Sequence, residues 1–198
     1  MGDDIVDDAT RRRYLGTMTV HLGALGSLID DLFELSRLEA GEIEWSMERV
    51  RLDDLVEETV AAMRPQGEAR QVELVAEVAE SLEPAQANPE KVQRVLFNLI
   101  QNAIRHTPAD GSVTVRATRG ATGPEVEVAD TGEGIAASDR GRVFDPFYRG
   151  GSEAARTRNS AGLGLAISRA IVEAHGGRIW LEPAAPGTRV RFTLPRAA

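Results

Sequence analysis

Residues Asn88–Pro108 read NPEKVQRVLFNLIQNAIRHTP. Asn88 is a helix-capping residue type, Pro89 suits a first turn and Pro108 lies past the far end, so the spacing predicts a helix between them. Val92, Val95, Leu96, Leu99 and Ala103 form an apolar stripe along it. Asn98, Asn102 and Arg105 fall at i, i+4 and i+7 and run beside that stripe. The helix is thus expected to bury one side and to present two amides and a guanidinium along the border. An amide oxygen suits a hard cation such as Mg²⁺, which takes its other ligands from water and phosphate. A guanidinium suits a phosphate oxygen. Taken from this helix alone, a solvated amphipathic surface is the better account.

Toward the C-terminus, SVTVRAT and EVEVAD alternate as a hairpin around the Gly120–Pro124 turn. DTGEGI, Asp130–Ile135, follows the second of these strands directly. A carboxylate at a strand end, with Gly132 and Gly134 behind it, lets backbone approach a flat ligand while Asp130 accepts a hydrogen bond. An ordinary tight turn explains the same residues. AGLGLAI, Ala161–Ile167, opens a helix expected over Gly162–His175, and its glycines expose N–H groups that favour an anion. It is no Walker loop, since no Lys-Ser/Thr pair follows, and it lacks the preceding strand of a dinucleotide fold. RIWLE and TRVRFTL complete the chain as strands.

Toward the N-terminus, VELVAEV reads as a strand, and RLDDLVEETVAAMRP as a helix opened by Asp53/Asp54 and closed by Pro65. EIEWSMERV alternates as a strand. Before it, Thr10–Ala40 is helical, with Leu15, Met18, Leu22, Leu25, Ile29, Leu32 and Ser36 forming a heptad seam. Leu28, Leu35 and Leu38 widen the stripe, and Gly41 is placed to stop the helix. The expected fold is α+β: a two-layer α/β sandwich, its mixed sheet of about five strands covered by helices on one face, preceded by a long bundle helix.

The 198 residues can hold one core plus an appended element. No apolar run is long enough to span a bilayer, and the charges of MGDDIVDDATRRR, with no apolar stretch behind them, do not read as a secretory leader. With no cysteine, disulfides, thiolate metal sites and cysteine nucleophiles are excluded. A net charge of −8 argues against general nucleic-acid binding, so any phosphate chemistry must be local.

In order, the chain carries an Asn helix, a hairpin, DTGEGI, VFDPFYR, a small polar loop and a Gly-x-Gly helix start. From about Leu52 to Pro195 this resembles the catalytic ATP-binding domain of bacterial sensor histidine kinases, with the Bergerat ATP-binding fold. DNA gyrase and the MutL mismatch-repair proteins share that ATPase superfamily. NLIQNAIRHTP is similar to the family's asparagine box, DTGEGI and AGLGLAI to its two glycine boxes, and VFDPFYR to its phenylalanine box. LIDDLFELSRLEAGEIEW is similar to the second helix of the dimerisation and phosphoacceptor domain. Two domains are therefore expected, a partial dimerisation region at 1–48 and the ATP-binding domain at 49–198.

The resemblance implies two cofactors, ATP and Mg²⁺. Asp130 would bind the adenine amino group, with Gly132, Gly134 and Ile135 shaping the pocket and Thr188 supporting it. Asn102 would ligate Mg²⁺ with Asn98 beside it, and Arg105 and His106 would face phosphates or ribose. Arg149 would reach the γ-phosphate during transfer. Gly162, Leu163, Gly164 and Leu165 would anchor the far end of a lid over 150–161. Phe147 is counted with the cofactor site, although it and Phe144 are better placed to pack the lid base; Arg156 and Arg158 are expected to be solvated. Asn98 stands where gyrase-type hydrolases carry a water-activating glutamate, and an amide cannot act as a general base, which favours a transferase.

The departure lies in the histidines. His21, His106 and His175 are the only three, and none has the family's His-Glu-Leu-Arg-Thr-Pro context. His175, at a helix end, is expected as a favourable cation. The phosphoacceptor helix is thus read as missing, through a cut between the two helices or in a split kinase. The chain is expected to bind ATP without phosphorylating itself. Expected partners are a phosphoacceptor helix in cis or in trans, a cognate response regulator, and a second copy through the N-terminal helix. No membrane contact is expected of this cytoplasmic segment, whose parent is a candidate for anchoring in the bacterial inner membrane. The rival readings are a serine kinase of the anti-sigma type and a non-catalytic nucleotide-binding dimerisation module.

Overall fold

The computed structural model describes residues 7–41, 45–79, 81–150, 161–184 and 186–197. Most of the expected lid, with Arg156 and Arg158, lies outside the described residues. The chain opens with helix α1 (Asp8–Glu39), capped by the Asp7 side chain, and Gly41 follows it at φ +67, as a helix-stopping glycine should. After α1 come β1 (Glu48–Val50), α2 (Leu52–Glu68), β2 (Glu73–Val78), β3 (Ala85–Ala87) and α3 (Pro89–His106). The hairpin β4 (Ser112–Arg119) and β5 (Pro124–Asp130) is next, then α4 (Gly164–Ala174), β6 (Arg178–Glu182) and β7 (Arg189–Thr193). Among the described residues no helix is long and apolar enough to cross a membrane.

Five strands form one sheet in the order β2-β4-β5-β7-β6, with β2 parallel to β4 and the remaining neighbours antiparallel. Period-2 alternation turns Val113, Val115, Ala117, Val126, Val128, Val190 and Phe192 to one face, where all are buried. Helices α2, α3 and α4 cover that face with Val56, Val60, Val95, Leu99, Ile167 and Ile171. The opposite face carries charges in alternating sign: Glu77 pairs with Arg116, Arg116 with Glu127, and Glu127 with Arg191. Arg191 also meets Glu125 and Glu182, so ion pairs stitch all five strands together. Burial pushes the Glu127 carboxyl upward, but hydrogen bonds from Arg116 and Arg191 outweigh it and leave it below the ordinary range.

Three local expectations are corrected. Helix α2 does not close at Pro65 but runs to Glu68. Proline in the last turn forfeits one donor, yet its carbonyl still accepts from Ala69 N–H at 3.1 Å, so the helix survives. Of EIEWSMERV, residues 42–44 lie outside the described residues, 45–47 are not strand, and only Glu48–Val50 pairs. Its partner is the unanticipated β3, which forms a separate two-stranded sheet. The last helix begins at Gly164 rather than Gly162, because Gly162 sits at φ +73. A side chain there would meet the Tyr148 carbonyl at 2.7 Å.

His175 is the fourth correction. It is only 3% exposed, with its ring against Trp45 at 4.4 Å between centroids. Asn88 N–H donates to Nε2 at 3.0 Å, which places the proton on Nδ1, and Nδ1–H donates to the Ile171 carbonyl at 2.7 Å. Burial holds its pKa below the ordinary value despite that carbonyl. It is a neutral structural residue, not a cation at a helix end.

Candidate nucleotide site

Asn88 caps α3 as expected, its side chain accepting from Lys91 N–H at 3.0 Å. The apolar side of α3 is buried, which fixes the rotation that sets Asn98, Asn102 and Arg105 half-buried along the border. The Asn98 amide nitrogen donates to the Gly164 carbonyl at 3.3 Å. That bond ties α3 to the start of α4 and offers the amide oxygen for other use.

At the other end, Asp130 is the last residue of β5 and shares the helix-facing side with Val126 and Val128. Its Oδ1 accepts from Gly132 N–H at 2.9 Å and Thr188 N–H at 3.1 Å. Burial raises its pKa, with these donors pulling the other way. A carboxylate has about four lone-pair sites, so capacity remains for a ligand donor. Gly132 is buried behind Asp130; a Cβ there would lie 2.3 Å from the His106 carbonyl. Sequence reasoning misses Gly187: at φ +90, a Cβ on it would stand 1.7 Å from the Asp130 carbonyl oxygen. Its only signal in the sequence is the short PGT turn at 186–188, with nothing to tie it to residue 130.

One cavity of about 1220 Å³ joins these parts. It is lined by Asn98, Asn102, Arg105, His106, Asp130, Gly134, Ile135, Arg149, Gly162, Leu163, Gly164, Leu165 and Thr188. Leu99, Ala103, Val128 and Val190 add apolar wall. Glu133 joins at the mouth, with one carboxylate oxygen 3.3 Å from His106 Nδ1. Gly132 and Phe147 do not line it. Phe147 is 56% exposed, and its N–H donates to the Gly162 carbonyl at 3.0 Å, closing the loop base. Phe144 packs on the core. Helix α1 adds His21, Leu25, Leu28 and Asp31 to the lining, a contact that its heptad pattern does not announce.

Among the described residues no three His, Cys, Asp or Glu side chains converge as a metal site. A cation here would rest on amide oxygens and on oxygens brought by a ligand, which matches the donor set of Mg²⁺ with phosphate.

Residues 87–198 match the family described as "Histidine kinase-, DNA gyrase B-, and HSP90-like ATPase". The chain belongs to that family. It is 35% identical over 191 residues to the alginate biosynthesis sensor protein KinB of Pseudomonas aeruginosa, covering 96% of this chain and 31% of KinB. Among solved structures, full-length ShkA in complex with AMPPNP is similar at a TM-score of 0.83 and 28% identity, covering 98% of this chain and 40% of ShkA. Histidine kinase ThkA in complex with response regulator protein TrrA is similar at 0.76 and 25% identity, covering 96% and 53%. This chain therefore spans between about a third and a half of these relatives. The similarity to KinB and ShkA takes in nearly the whole chain, α1 included, as well as the ATPase-family segment.

Proposed function

We propose that this chain is the ATP-binding catalytic part of a two-component sensor histidine kinase. The observation that carries this reading is the shared cavity in which Asp130 stands at one end and Gly162 and Gly164 at the other, with Asn98, Asn102 and Arg105 between them. Asp130 would accept from the adenine amino group, while Leu99, Val128 and Val190 supply apolar contact to the ring. Asn102 and Asn98 would hold Mg²⁺ through their amide oxygens, and the cation would neutralise phosphate charge. Arg105 and Arg149 would steady the phosphates, and the N–H groups at the start of α4 would add a positive dipole end. Little covalent work falls to the protein in phosphoryl transfer, so positioning and charge are the expected contributions.

In the proposed reaction the γ-phosphoryl leaves its bridging oxygen on ADP and bonds to a histidine ring nitrogen, whose proton passes to solvent. That histidine would lie on a phosphoacceptor helix in cis or in trans, for relay to a response-regulator aspartate. Dimerisation is proposed through the outer seam of α1, where Leu15, Met18, Leu22, Ile29 and Leu32 are all about half exposed or more. Incubation with γ-labelled Mg-ATP, alone and with a separate fragment bearing the phosphoacceptor helix, tests the reading. Acid-labile label is expected on the fragment only. Acid-stable label on serine, or no transfer to any fragment despite nucleotide binding, would contradict it.

A further inference from the structure

Helix α1 does more than present a seam: its inner side is a wall of the nucleotide cavity. His21, Leu25, Leu28 and Asp31 line the same space as Asn102, Arg105 and Asp130. It is held there by Leu28, Leu35 and Leu38, which pack on the core, by its contact with α4, and by an ion-pair node on α3. Glu34 Oε1 lies 2.6 Å from Lys91 Nζ, and the second Glu34 oxygen faces Arg94. Arg94 also pairs with Asp31 at 2.5 Å. The Glu34 side chain is only 10% exposed, whereas Lys91 and Arg94 remain about a third exposed. Next to it Leu35 is buried in the domain core. Lys91 and Arg94 precede Asn98 by seven and four residues on the same helix, so Glu34 grips the element that carries the amides.

We propose that Glu34 is a positioning residue for the nucleotide site, fastening α1 against the cavity so that bound nucleotide leaves faster when the Glu34 node opens. This rests on the reading of the cavity as an ATP site. The physical basis is the asymmetry of buried charge. A carboxylate this enclosed is costly to leave unpaired, so α1 does not slide off Lys91 and Arg94 by small steps. It is either seated, with Glu34 paired, or lifted, with Glu34 in water. Asp31 contributes less to the grip. Its carboxylate is about a third exposed and pairs with Arg94 alone, whereas Glu34 is 10% exposed and meets two cations. Neither Glu34 nor Asp31 belongs to a nucleotide motif. Glu34 does not line the cavity, so its effect passes through the seating of α1 on α3.

The test is the release rate of a fluorescent methylanthraniloyl-ATP with Mg²⁺, chased by excess ATP in stopped flow, on the full chain. Glu34→Gln, Arg94→Gln and the double variant form a cycle. Each single change is expected to speed release by about tenfold, and the double by clearly less than the product of the two, because both break the Glu34–Arg94 pair that they share. Raising ionic strength is expected to accelerate release more in the unaltered chain than in Glu34→Gln, a readout that a general loss of stability would not produce. Release by Glu34→Gln less than about fivefold faster than the parent, or independent multiplication of the two single effects, would overturn the proposal. Should Glu34→Gln not fold, the Arg94→Gln rate and the parent's salt dependence decide by the same criteria. If the unaltered chain binds no analogue, the ATP-site reading itself fails, and this inference with it.

Discussion

Asp130 carries the base-recognition claim, and its surroundings make a clean substitution possible. In Asp130→Asn the Oδ1 acceptor for Gly132 and Thr188 N–H groups persists, so the turn should hold. The other oxygen becomes an amide nitrogen that presents a donor to the adenine amino group. Affinity for ATP by calorimetry is expected to fall at least about tenfold, with the melting temperature nearly unchanged. His175 gives a pH prediction whose sign follows from its depressed folded pKa. Its stabilising contribution is fully present above the ordinary histidine value near 6.5 and is lost as pH falls toward the folded value. Comparing unfolding of the parent and His175→Gln from mildly alkaline to mildly acidic pH should show the parent losing its advantage in the acid range. An advantage that grows on acidification would refute the assignment. None of this is legible locally: the two residues that make His175 neutral, Trp45 and Asn88, lie 130 and 87 positions away in the chain.

Elements are more readable than single residues wherever period and punctuation agree. Helix α3, with a capping Asn, Pro at its first turn and a broad buried side, has the expected bounds. The hairpin turn closes through Gly120 N–H to the Gly123 carbonyl at 2.9 Å, as the glycines imply. The strand β3 escapes notice because three residues, AQA, carry no period, and only pairing with β1 makes them a strand. Helix α1 reads in sequence as one wide stripe, but the structure divides it. Leu28, Leu35 and Leu38 pack on the domain, while Leu22 in the seam is 68% exposed. Leu22→Glu is therefore expected to leave the monomer intact and to abolish self-association in sedimentation velocity, whereas a dimer that survives it would place the interface elsewhere. On the sheet's open face, Glu127→Gln removes the charge that two arginines share. A loss of about 2 kcal/mol is expected in denaturant unfolding at neutral pH. Because its folded pKa is depressed, the difference from the parent should vanish as pH falls through that value. A difference that persists in acid would contradict the charge-based account.

At the scale of the whole molecule, four short motifs spread from residue 98 to 167 become one cavity because β5 and the two helices α3 and α4 meet at a single end of the sheet. The order of the motifs makes that site legible in advance, and the structure gathers all of the expected site residues but Gly132 and Phe147 onto its surface. Sequence could not announce Gly187 beneath Asp130 or α1 as a wall of the cavity, since both depend on tertiary approach between segments with no shared pattern. The central claim is that this cavity is a single ATP site read from Asp130 to Gly164. It is tested most directly by calorimetric titration of ATP and GTP, with and without Mg²⁺, into the chain and into Asp130→Asn. The account predicts one ATP per chain, tighter binding with Mg²⁺, discrimination against GTP, and marked weakening in the variant. Equal binding of ATP and GTP, or ATP binding that Asp130→Asn leaves unchanged, would contradict it.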